Sequence, residues 1–211
     1  EAVMIRRLFA NIDLGIENFK DSVLKCVISY SQRGIQVAFG PEVMACRNLC
    51  ILRAKDVFST YALGRPSLRE ASFRQVDDML LHIDNYITCV EQENAEMRRM
   101  LDRWDNYRMV KEHYYQLLYT LMTMRVMKDT KNPDLHQNIT YALNSSQINA
   151  CHEDVLIQWL NDPKAIEPTW WECYNWLNRL YKPEQMDMPS IVPQSLALSE
   201  AFQTTFNELA L

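Results

Sequence analysis

Glycine is scarce in this chain. Only four occur, at positions 15, 34, 40 and 64, and none lies between Arg65 and Leu211. Sheet proteins spend glycine on turns and bulges, and nucleotide sites spend it on phosphate loops. The shortage therefore predicts an all-α protein and excludes a Gly-rich phosphate cradle. Long apolar runs are also missing. The nearest, "LLYTLMTMRVM" (Leu117–Met127), is interrupted by Arg125 and falls short of the ~18 residues that span a bilayer. No basic excess is present: the net charge is −5 and the pI about 5.4, which disfavours nucleic acid as the main partner. There is no GxSxG and no CxxC. "HED" at His152 opens like the zinc-protease motif, but Leu156 stands where its second histidine belongs.

What is present is apolar residues, 48% of 211, enough for one substantial core or two small ones. Six cysteines stand at 26, 46, 50, 89, 151 and 173. An even count permits disulfides in a secreted protein. Most of these cysteines, however, sit among apolar residues of expected helices, where a reduced buried thiol is the usual case. Asn138 and Asn144 open glycosylation triplets, a weak signal that triplets also give by chance. A start at Glu1 fits a processed chain or a piece of a longer one. An intracellular or virion setting is favoured, with secretion as the alternative.

Read by apolar spacing, Ile16, Phe19, Val23, Cys26, Val27 and Tyr30 form a helical stripe ended by Gly34. A helix over the first ten residues also fits. "GPEVMACRNLCILRAKDVFSTYALG" reads as the next helix, with Pro41 in its first turn. The short "QVAF" before it has extended character but no obvious partner. Ser67 and Glu70 form a capping-box pattern. From there to about residue 127 one very long central helix is expected, ~90 Å if continuous, with a bend placed near Asp105–Asn106. "KDTKNPDLHQN" is a loop, and a further helix is expected over 150–160. Thr169 and Glu172 make a second capping box, which opens "TWWECYNWLNRLY". A proline-punctuated connector, "PEQMDMPSIVPQ", leads to a last helix from Ser195 to Leu209. The fold expectation is thus a helical bundle around the long helix of about 67–127, with shorter helices on either side. Three regions follow: 1–64, 65–130 and 131–211.

Within the long helix Leu80, Ile83, Ile87, Val90, Asn94, Met97, Leu101 and Trp104 are spaced alternately by three and four, the coiled-coil period. Asn94 falls at an a position, where a buried amide specifies a parallel two-stranded partner. Glu93 at g and Arg98 at e would then attract across the pair. An antiparallel bundle within one chain uses nearly the same spacing, so both readings stand. After Trp104 the stripe jumps by three residues and continues at Tyr107, Val110, Tyr114, Leu117, Leu121 and Met124.

Trp170, Trp171, Tyr174, Trp176 and Tyr181 crowd one short helix. They cannot all face inward on 3.6 residues per turn, so one large ring is expected at a surface where it meets another protein. Cover by a neighbouring segment is the competing reading. Phe202 and Phe206 make a similar stripe on the last helix. Cys46 and Cys50, one turn apart, with Cys151 and His152, are the best metal candidates. His82 with Asp78 one turn before it, and Asp77 and Asp84, read as a solvated helix face.

The function expected is a non-enzymatic structural or assembly protein that acts through protein–protein contacts. A minor component of a virus particle is one concrete form. A secreted, disulfide-bonded helical signalling ligand is the alternative, and a metal-binding or enzymatic helical protein the third. No cofactor is expected. The partners expected are other protein subunits, this chain itself among the candidates. The contact residues are Leu80, Ile83, Ile87, Val90, Glu93, Asn94, Met97, Arg98, Leu101, Trp170, Trp171, Trp176, Phe202 and Phe206.

Overall fold

A computed structural model describes residues 8–31, 34–45, 48–61, 68–123, 159, 161–162, 164–178, 188–209 and 211. The fold is mixed, and the all-α expectation is wrong. Residues 8–61 form a five-stranded antiparallel sheet. Its strands are β1 (Leu8–Phe19), β2 (Ser22–Ser31), β3 (Gly34–Val43), β4 (Asn48–Leu49) and β5 (Val57–Tyr61). β1, β2 and β3 follow one another by hairpins. The other edge of β3 is shared: β5 pairs its first half, Gly34–Ala38, and β4 pairs Glu42 and Val43.

Both faces of the central strands β2 and β3 are covered, which is why their alternation was hard to see. Leu24, Cys26, Ile35, Val37 and Phe39 point into the main core. Val27 and Ala38 point the other way, into a smaller cluster with Leu49, Ile51 and Val192. Strands buried on both faces read as nearly continuous apolar runs instead of alternating ones. The stripe from Ile16 to Tyr30 matched helical spacing because eight of its fifteen positions are apolar, and those bunch at Val23–Tyr30 closely enough to fit either period. The "QVAF" segment lies within β3, paired to β2 on one side and β5 on the other.

Two glycines are fixed by geometry. Gly15 has φ +67° beside a shift in the register of β1 against β2. At Gly40 a Cβ would stand 2.0 Å from the Cys50 carbonyl oxygen, so only glycine lets that chain pass.

The helices are α1 (Leu68–Thr88), α2 (Val90–Asn106), α3 (Lys111–Thr123), α4 (Trp170–Asn178) and α5 (Met188–Glu208). The single long helix is therefore not formed. The chain breaks at Cys89, between α1 on the sheet and α2. It leaves the helix again at Tyr107, because residues 107–109 bond to a distant segment. Met109 N–H donates to Pro168 O at 2.7 Å, and Trp170 N–H donates to Tyr107 O at 3.1 Å. Backbone groups satisfied across the fold outweigh the helical bonds given up there.

The capping box that opens α4 is formed. Thr169 N–H donates to Glu172 Oε2 at 2.7 Å, and Glu172 N–H donates to Thr169 Oγ1 at 3.1 Å. α5 begins at Met188, inside the expected connector, and continues through Pro193. A proline within the second turn gives up one backbone bond. The first-ten-residue helix, the Ser67 cap, the loop after Met127 and the 150–160 helix lie largely or wholly outside the described residues.

Candidate interaction surface

Asn94 does not face a second helix. It is buried, and its Nδ2 donates to the Glu17 carbonyl at 3.1 Å. Arg98 grips the same stretch of β1: its Nη2 donates to Glu17 O at 2.7 Å and its Nε to Asn18 O at 2.9 Å. These carbonyls lie where the β1–β2 register slips, between Asp13 and Glu17 and again before Phe19. α2 thus satisfies a kinked edge strand with side chains. Met97 and Leu101, on the same side, are fully buried. The seam exists as a buried face, but a sheet covers it, and the coiled-coil reading falls.

Glu93 is likewise engaged within the chain. Arg53 sits at the centre of an ion-pair cluster, holding Asp56 by two bonds of 2.6 and 2.7 Å, Glu93 at 3.0 Å and Glu96 at 3.1 Å. Lys55 adds contacts to Glu93 at 2.9 Å and Glu96 at 2.5 Å. The cluster ties the short 3-10 turn Ala54–Asp56 to α2. Burial pushes the Asp56 carboxyl up, against the pull of Arg53. Hydrogen bonding to Lys55 holds the exposed Glu96 carboxyl below its usual range.

The aromatic helix is enclosed, so the expectation of an exposed ring is overturned. Trp170, Trp171 and Trp176 are 0%, 5% and 2% exposed. α4 escapes the limit of one inward face because it is surrounded. Trp171 meets Phe19 of the sheet edge-on at 5.9 Å, and Tyr174 meets Trp104 of α2 at 5.1 Å. Trp170 packs edge-on against Phe202 and Phe206 of α5, at 5.9 and 5.2 Å. Both phenylalanines are buried. They belong to the core and do not form a contact surface.

Polar groups of α4 and α5 meet β4 and the segment that follows it. Asn48 Nδ2 donates to Asn175 O at 2.7 Å, and Asn178 Nδ2 donates to Leu49 O at 2.9 Å. Ile51 N–H donates to Ser195 Oγ at 3.2 Å, and Ser199 Oγ donates to Leu52 O at 2.6 Å. This extended stretch has side chains where a further strand would otherwise lie.

The chemical candidates come apart. Cys26, Cys89 and Cys173 are free thiols, and burial pushes Cys26 up to about 11. Cys46, Cys151 and His152 lie outside the described residues. No cluster of three or more metal-ligating side chains forms among the described residues. His82 is not at a solvent face with Asp78. It stacks on Phe58 at 4.5 Å, and burial lowers its pKa.

One surface remains open. α1 turns Met79, Ile83 and Tyr86 toward the sheet, with Tyr86 stacked on Phe39. Flanking that packed face are Phe73, Val76, Leu80 and Ile87, which are 64%, 37%, 54% and 47% exposed, and farther round lies Leu81 at 60%. Spacings of three, four and seven put the first four on one face. That row runs ~21 Å along the helix. Of the residues expected from sequence to make contacts, Leu80 and Ile87 lie here, while Ile83 and Val90 are partly buried against the core. Phe73, Val76 and Leu81 were missed. Their signal was a second apolar row beside the seam, which one buried face does not account for.

Comparison with family models, curated proteins and solved structures returned no match. No helix among the described residues is long and apolar enough to cross a membrane.

Proposed function

We propose that this chain is a non-enzymatic interaction subunit whose contact surface is the outer face of α1. The observation that carries this is the row Phe73, Val76, Leu80 and Ile87, with Leu81 beside it, held out to solvent on a helix whose inner side is already packed. A row of large exposed apolar side chains on one helix is the kind of surface that marks interaction sites in monomeric proteins. A helix fixed to a sheet also presents them preformed, with little ordering cost on binding. A larger assembly is the natural setting for such a subunit, and a virus particle is one such assembly. The secreted-ligand alternative gains nothing from the free thiols of Cys26, Cys89 and Cys173.

Site-specific photocross-linking in the source organism tests this reading. A photoreactive benzoylphenylalanine at Leu80 or Ile87 is expected to give a discrete cross-linked species. The same group at exposed Asp102 of α2 is expected to give none. Identical patterns at all three positions, or no adduct at Leu80 and Ile87, would sink it.

A further inference from the structure

We infer that the occupant of the α1 face is an amphipathic helix whose apolar row is flanked by lysine or arginine, and that it is not a second copy of this chain. This rests on the preceding reading and specifies it. Asp77 lies one turn after Phe73 and one turn before Leu81, and Asp84 lies between Leu80 and Ile87. Both aspartates are exposed, as is Asp78. None of the three has an ion-pair partner among the described residues. Across Phe73–Thr88 the basic groups are Arg74 and His82, and His82 is partly buried against Phe58 with its pKa lowered, which leaves Arg74 set against these three carboxylates. Glu91, at the start of α2, is exposed as well.

The apolar row selects shape. Side chains spaced by three and four residues form a ridge, and another helix seats its grooves on such a ridge. The carboxylates select charge. A second copy would bring aspartates against aspartates within about a Debye length of ~8 Å, where like charges repel. An anionic lipid surface or a nucleic acid is rejected for the same reason. Lysine or arginine beside the partner's apolar row would meet Asp77 and Asp84 as they stand.

The test uses two dye-labelled synthetic helices of equal length with identical leucine rows, one flanked by lysines and the other by glutamates. Binding is followed by fluorescence anisotropy, with light scattering on the protein alone. The lysine helix is expected to bind at least tenfold more tightly than the glutamate helix, and to weaken with added salt. D77N/D84N is expected to lose about fivefold, the worth of two exposed ion pairs. L80S/I87S is expected to abolish binding while circular dichroism stays unchanged. Lysine-helix binding untouched by either variant overturns the inference. Equal binding of both helices overturns charge selection but leaves the contact surface standing. A dimer that L80S/I87S converts to monomer makes the occupant a second copy, again leaving the surface standing. A monomer that binds neither helix defeats both readings.

Discussion

Asn94 and Arg98 act as a pair because they share one acceptor. Glu17 O receives Asn94 Nδ2 and Arg98 Nη2 together. Losing one donor leaves the carbonyl with the other; losing both strands it. N94A and R98A are each expected to cost about 1 kcal/mol, and the double variant more than their sum. Urea unfolding of the four proteins checks this, and simple additivity would show that the shared carbonyl is not the coupling element. Asn94→Leu is not expected to stabilise, because the amide has its acceptor within the chain. Apolar spacing revealed which side of α2 is buried. It carried no information on what covers that side, because a sheet and a helix present the same apolar wall. A polar residue inside such a stripe is legible as a special position; its acceptor 77 residues away is not. Asn18 makes the same point. It is fully buried, with neither amide atom hydrogen-bonded among the described residues, and nothing in its sequence neighbourhood marks it.

At the scale of elements, the Arg53 cluster couples a turn of the sheet region to α2, and its charges set a pH response. Glu96, held low by Lys55, contributes stability that is present above the ordinary carboxylate range and lost as pH falls through its lowered value. Asp13 has the same sign, held low first by the Gly15 N–H and then by Lys25. Asp56, raised by burial, has the opposite sign: its share is lost as pH rises through its own value. E96Q is expected to flatten the decline in urea midpoint between about pH 6 and about pH 3; an unchanged slope would mean the Lys55 contact adds nothing in solution. The helices were legible where one face is dry and the other wet, as in α2, and where a cap announces them, as at Thr169. The central strands β2 and β3 were not, because they are covered on both faces; β1, exposed at Asp13, Gly15 and Glu17, alternates only over a short stretch. Glycine did carry the distinction through its distribution: all four lie in the first 64 residues, where the sheet lies, and the long glycine-free stretch is helical over most of its described residues.

At the scale of the molecule, all five tryptophans are buried, with Trp104 and Trp159 at 2% joining the three of α4. Native fluorescence is therefore expected to resist acrylamide and to shift to the red only on unfolding. Ready quenching in the native state would show that α4 is not enclosed. The enclosure depends on partners far along the chain, and so does the edge of the sheet. Ile51 bonds to Ser195 and Leu52 to Ser199, across 144 and 147 residues. Contacts this distant form late, since loop closure precedes any return from them. On the ribosome, the strands of residues 8–61 emerge well before the helix that satisfies their neighbouring segment has been made. A nascent chain of this protein carries an uncapped edge until α5 has been made, 144 to 147 residues after the segment it closes.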